Sequence, residues 1–279
     1  MAGRRILVTG AARSTGRRLV GGRSSMKERN VLGTMALLGA AYHAPDPPGL
    51  VLKSTTAVYG STAGDPAVWT ETLPHEAPRS GFGKDAIEVE DDVRSFHRRR
   101  PDVAVTVLRL ANQVGPTVSN PMTRYFELPV CPTVFGFDPR LQFLHEADTE
   151  RVLARAVLGP AVAGTFNVAG DGVVLLSQAI RIAGKASLPI PEPLVASVAE
   201  LLRRTVDFSP EQARFLQHGR VADTTAARDQ LGFVPQWSSL AAFEDFASRL
   251  DRLVTEEQVL RLQHEALDLL RRAVSWVGR

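Results

Sequence analysis

The sequence predicts an α/β protein built on a doubly wound parallel sheet, reduced in strand number. Three observations predict it. Short apolar, β-branched runs recur at Arg5–Thr9, Leu50–Lys53, Val103–Leu110 and around Phe166, and stretches of helix formers separate them. The first run enters a glycine-bearing turn, Gly10-Ala-Ala-Arg-Ser-Thr-Gly16. A strand, such a turn and a helix together aim backbone N–H groups at an anionic ligand. The second run stops at Ser54-Thr55-Thr56, and in a parallel sheet the carboxyl ends of the strands face the ligand crevice.

Bulk composition narrows the class further. The 279 residues can bury a sizeable core, and 44% hydrophobic with 23% charged residues is ordinary for a soluble globular chain. Net charge is only +3, and four of the 33 basic residues are lysine. The arginine runs at 98–100, 203–204 and 271–272 lie in helical stretches without interleaved aromatics, so no nucleic-acid partner is expected. Cys131 stands alone, which gives neither a disulfide framework nor a cysteine metal site, and the six histidines lack metal-ligand spacing. No metal site is expected. No apolar run approaches the ~18 residues of a membrane span, and the N-terminus lacks a signal-peptide pattern. The expectation is a cytoplasmic protein with no membrane partner.

Taken in order, the chain offers a turn helix Ser14–Val20, a second helix Met26–Ala41 and the strand Leu50–Lys53. Gly60–Arg79, rich in Pro, Gly, Asp and Thr, reads as a loop over the crevice. A helix follows from about Phe82 to Arg98, with Asp85, Glu88 and Glu90 near its beginning, where carboxylates suit the helix dipole. After the strand Val103–Leu110, Gly115-Pro116 turns the chain. Asp148 is expected to cap a helix Thr149–Val157. Leu175–Ile182, Val195–Arg204 and Ser209–Phe215 read as further helices, Leu231 is expected to pack, and Gly232 to end a late helix. Ser239–Trp276 is nearly all helix former, giving a long C-terminal helix that covers a lobe or pairs with a second chain. The domain reading is a core at 1–120 completed by 141–172, a small lobe from 121–140 and 173–238, and an extension at 239–279.

The segment Ser54-Thr-Thr-Ala-Val-Tyr-Gly60 resembles the serine/threonine-bearing strand end of the extended short-chain dehydrogenase/reductase family, the nucleotide-sugar epimerases and dehydratases. Further segments carry the likeness: Asn30, Gly33 and Thr34; Leu108-Arg-Leu-Ala-Asn-Gln-Val-Gly-Pro116; Phe143-Leu-His-Glu-Ala-Asp148; Thr165-Phe-Asn-Val-Ala-Gly170; and Leu231-Gly-Phe-Val-Pro235. The resemblance implies a Rossmann-like nucleotide-binding core, NAD or NADP as cofactor, a nucleotide-sugar-like small molecule as partner and a possible homodimer. It implies cofactor contacts from Gly10, Arg13, Gly16 and Ser54, a catalytic hydroxyl at Thr55, and Asn112 and Tyr59 on the substrate side.

The chain departs from that pattern where the chemistry would be. The family's tyrosine base and pKa-lowering lysine fall on Phe82 and Ala86, neither of which can take a proton or hold a ribose. Lys84 is about 200° of helix rotation from Phe82. Asp85, at i+3 from Phe82, is the substitute candidate for a base. Arg13 replaces the middle glycine of the turn, and the interval from Val20 to Gly21 leaves no room for the strands that would bind the adenosine half. Three readings follow: an enzyme of altered or impaired catalysis, a non-catalytic ligand-binding or protein-interaction module, and a shortened relative unable to hold a dinucleotide.

Overall fold

The computed structural model describes residues 6–9, 31–47, 49–73, 81–206 and 210–250. In chain order its elements are β1 (Ile6–Thr9), α1 (Gly33–His43), β2 (Gly49–Thr55), a 3-10 turn (Thr56–Tyr59), β3 (Val68–Trp69), α2 (Gly81–Arg99), β4 (Val105–Leu110) and β5 (Asn112–Val114). Then come α3 (Pro121–Glu127), β6 (Val130–Val134), β7 (Arg140–Leu141), β8 (Phe143–His145), α4 (Glu146–Leu158), β9 (Gly164–Val168) and β10 (Val174–Leu175). The last are α5 (Leu176–Ile182), β11 (Ala186–Ile190), α6 (Glu192–Val206), α7 (Pro210–His218), β12 (Val221–Ala222), α8 (Thr225–Asp229) and α9 (Ser239–Ala247). The turn helix 14–20 and the gap after Val20 lie outside the described residues.

The core is a parallel sheet of order β1-β2-β4-β9. Its strands stand where the apolar runs put them, and helices cover both faces. The two-residue period of β2 sends Leu50 and Leu52 to a layer with Leu38 of α1 and Val89, Val93 and Phe96 of α2. Val51 goes to the opposite layer with Val152 and Ala156 of α4 and Ala227 of α8. Covered on both faces, β4 is buried at every position, which explains its nearly unbroken apolar sequence. β1 is one edge of the described sheet.

In a second core Phe126, Phe143 and Phe243 pack ring against ring. β6 and β11 pair in parallel there. Pro132 and Pro189 are tolerated because each strand of a two-stranded sheet keeps one open edge, where a missing N–H breaks no ladder bond. Leu231 is fully buried, and Gly232 turns the chain after α8 with φ +65°.

Four expectations are corrected. The segment 60–79 is not all loop, since β3 pairs in parallel with β12, a partner 153 positions away that no local pattern announces. Asp148 does not cap a helix beginning at Thr149. The helix begins three residues earlier, with His145 at its N-cap accepting the Ala147 N–H. Asp148, fully buried, instead accepts the backbone N–H groups of Gln236 (3.0 Å) and Trp237 (2.9 Å) and a 2.5 Å contact from Arg151, tying α4 to the segment before α9. Glu90 sits in the middle of α2, too far from its end to feel the dipole, and is buried. Finally, α9 ends at Ala247 with Ser248 as its C-cap, so the stretch from Ser239 is not one unbroken helix, and 251–279 lie outside the described residues.

α9 belongs to this second core. Ala242, Phe243, Phe246 and Ala247 are buried in it, and Asp245 accepts from His145 Nε2 at 3.1 Å while Trp237 stacks on that imidazole at 4.1 Å. Because Asp148 holds two backbone N–H groups, Asp148→Ala leaves both without acceptors, at about 1–3 kcal/mol each. The expected result is a clearly lowered midpoint of urea unfolding.

Candidate functional site

The site lies at the carboxyl ends of β2 and β4, on the α2 side of the sheet. Alternation along β2 puts Ser54 on the face of Leu50 and Leu52, and alternation along β4 puts Arg109 on the face of Val105 and Val107. Both therefore meet Glu90 of α2. Arg109 grips the Glu90 carboxylate through Nε (3.1 Å) and Nη2 (2.7 Å), with both side chains only 3% exposed. Ser54 Oγ donates to the same carboxylate at 2.5 Å.

The network continues inward. Arg109 Nη1 donates to the Tyr59 hydroxyl at 2.8 Å, and that hydroxyl donates to Asn167 Oδ1 of β9 at 2.7 Å. Asn167 in turn donates from Nδ2 to the Trp69 carbonyl and from its backbone N–H to Glu71. Tyr59 is held between polar partners and a stack, with Trp69 parallel to its ring at 5.2 Å and Phe215 beyond. Burial pushes the Tyr59 phenol above its ordinary range, and the opposing pull of Arg109 does not overcome it. A proton acceptor near neutral pH needs the reverse.

The residues expected to form the site divide. Ser54 and Tyr59 are turned into the buried network. Thr55, half-buried, accepts the Ala57 N–H at 3.2 Å as N-cap of the 3-10 turn, which leaves its own hydroxyl proton available. Asn112 opens β5 and lines a cavity of about 10 Å³ with Thr56, Trp69, Gln142, Phe215 and Arg220. Phe82 lies in the first turn of α2. Ala86 packs against the Val58–Tyr59–Trp69 cluster. Asp85 is half-buried one turn before Val89, while Lys84 is exposed. Gly10, Arg13 and Gly16 lie outside the described residues. Among the described residues no group of three or more His, Cys, Asp or Glu could hold a metal ion, and no helix is long and apolar enough to cross a membrane.

Sequence reasoning missed Arg109, Asn167 and Trp69 as members and misread Glu90. The signals were present. An arginine inside Val-Leu-Arg-Leu and an asparagine inside Thr-Phe-Asn-Val-Ala are polar groups in strands that both faces bury, and such groups require partners.

A doubly wound parallel sheet with this strand-end crevice defines the class as Rossmann-fold. Among known families, the NAD dependent epimerase/dehydratase family model matches residues 6–128, and that part of the chain is similar to it. An uncharacterized protein of Mycobacterium tuberculosis is 45% identical over 229 residues, covering 81% of this chain and 61% of that protein. A Mycobacterium bovis protein, also uncharacterized, matches with the same figures. The chain thus spans 61% of the length of these curated relatives.

Among solved structures, a human epimerase family protein with NADPH superposes with a TM-score of 0.63 at 19% identity, covering 88% of this chain and 82% of that one. A dTDP-glucose 4,6-dehydratase from Streptomyces venezuelae with NAD bound gives 0.62 at 21%, covering 87% and 72%. The UDP-glucose 4-epimerase of Thermotoga maritima with UDP-glucose gives 0.60 at 19%, covering 81% and 70%. At these identities the likeness is one of fold.

Glu90→Gln removes the charge that compensates a buried guanidinium. It is expected to cost about 3–5 kcal/mol, measured as the free energy of urea unfolding, and more than a substitution of the exposed Asp91–Arg94 pair.

Proposed function

We propose that the chain is an NAD(P)-dependent nucleotide-sugar epimerase/dehydratase-like protein with impaired catalysis, one that keeps the binding scaffold of the group. The observation that carries this reading is the fate of the strand-end hydroxyls. Ser54 and Tyr59 are consumed by the Glu90–Arg109 pair, which leaves Thr55, and Thr56 on the cavity wall, as the hydroxyls with a proton to offer a ligand oxygen.

The described residues fit the coenzyme only in part. Thr55 can orient a reacting oxygen, but the methyl of Ala86 offers no cation to a ribose, and Phe82 offers no proton acceptor beside it. NAD or NADP would rest on the turn Gly10–Gly16, with the nicotinamide end weakly held, so no hydride step is assigned to this chain's residues. Asp85, at the edge of the same helix face, is the residue proposed to stand in as base. The second reading, a non-catalytic binding or interaction module, is favoured by one feature: the cavity beside Asn112 has room for little more than one water. We place the protein in the cytoplasm.

Titration with NADH and NADPH, followed by nicotinamide fluorescence and thermal shift, tests the reading. The expected outcome is weak binding and negligible turnover of UDP-sugars. Phe82→Tyr with Ala86→Lys is expected to tighten NADH binding by about tenfold, some 1.4 kcal/mol, and to raise turnover, with Thr55→Ala abolishing the gain. A folded double variant with unchanged affinity would count against the reading.

A homodimer is part of the proposal. α1 buries Leu38 and Ala41 in the core yet leaves Leu32 57% and Met35 50% exposed on its outward side, together with Tyr42. Such an apolar outer face suits a second copy. Light scattering behind size exclusion is expected to give a dimer mass for the native chain and a monomer mass for Met35→Glu.

A further inference from the structure

The cavity beside Asn112 holds a feature that the epimerase-like reading leaves unused. Two of its lining residues carry buried N–H donors with no acceptor among the described residues, Trp69 Nε1 and Arg220 Nε. Buried donors are almost always satisfied, and two around one small space point to a shared acceptor.

Both donors are rigidly placed. Trp69 is 3% exposed, its ring is clamped between Tyr59 and Phe215, and its carbonyl accepts from Asn167 Nδ2 and from the Asp223 N–H. Arg220 is pinned through its other nitrogens, Nη1 donating to the His218 carbonyl at 2.5 Å and Nη2 to the Thr62 carbonyl at 2.7 Å. All its hydrogen-bond partners are neutral carbonyls, and it forms no ion pair with a carboxylate among the described residues.

Of the remaining polar lining, Gln142 spends Oε1 on the Ala222 N–H at 2.6 Å and is left with its amide nitrogen to offer, while Thr56 and Asn112 each bring a donor beside an acceptor oxygen. About 10 Å³ is the room of a single oxygen. An indole N–H, a guanidinium N–H and an amide around such a space select an acceptor, and the uncompensated cation selects an anionic one.

We infer that this cavity is an acceptor-oxygen subsite that takes one anionic oxygen, of a carboxylate or a phosphoryl group, from the ligand in the strand-end crevice. The inference rests on the nucleotide-sugar reading and deepens it, since it makes the ligand's acidic group the specificity determinant.

The test is calorimetric titration of the full chain with UDP-glucose and UDP-glucuronic acid, using the native protein, Trp69→Phe and Arg220→Gln. Trp69→Phe keeps an aromatic ring in the stack and removes the donor, but it also empties part of a buried ring's volume, so a lower melting temperature is expected. Affinities are therefore compared at a temperature at which circular dichroism shows the native chain and both variants folded. If a sugar carboxylate fills the cavity, UDP-glucuronic acid binds about tenfold tighter than UDP-glucose, and both variants erase that preference. If a phosphoryl oxygen fills it, the two ligands bind alike and both weaken severalfold in each variant.

Affinities unchanged by Trp69→Phe and Arg220→Gln would overturn the subsite while leaving the nucleotide-sugar reading standing. Failure of the native chain to bind either ligand would overturn that reading, and the subsite with it.

Discussion

A guanidinium buried in the middle of a parallel sheet must find a negative charge, and the region around the site follows from how Arg109 finds one. Its partner is Glu90, brought in by the middle of α2 and fixed by two parallel N–H contacts. That pairing sets the rotation of α2 against the sheet. It also draws Ser54 from β2, Tyr59 from the 3-10 turn and Asn167 from β9 into one chain of hydrogen bonds, so three strand ends and a helix are held in register. Desolvation takes back much of the Coulomb attraction in a buried pair. Its consequence here is geometric: a polar group on each element has one place to go.

The same pairing anchors α2 from its middle, away from the hydrophobic residues at positions 82 and 86 in its first turns. The buried network joins the side chains of Ser54, Tyr59, Glu90, Arg109 and Asn167 to one another. Ala86 even adds to the apolar packing beside Tyr59 and Trp69.

Much of the fold was legible in the sequence because its signals are local. The strands at Ile6, Leu50, Val105 and Phe166 announce themselves as β-branched runs, and the late turn by its glycine at positive φ. The site was legible only in part. Thr55 and Asn112 could be found by spacing, but Asp148 was misread because an aspartate near a helix start looks like a cap whatever it binds. Here its acceptors are used 88 and 89 residues along the chain. Glu90 was misread for the same reason.

By itself the sequence determined the layer architecture, the strand-end hydroxyls and the apolar residues Phe82 and Ala86 at the start of α2, since periodicity and residue identity are properties of short segments. Only the tertiary structure decided which hydroxyls the buried network uses, that Trp69 and Arg220 meet across one small cavity, and that α9 packs into the second core. Those depend on side chains from distant segments competing for the same few buried partners, and that competition has no local signature.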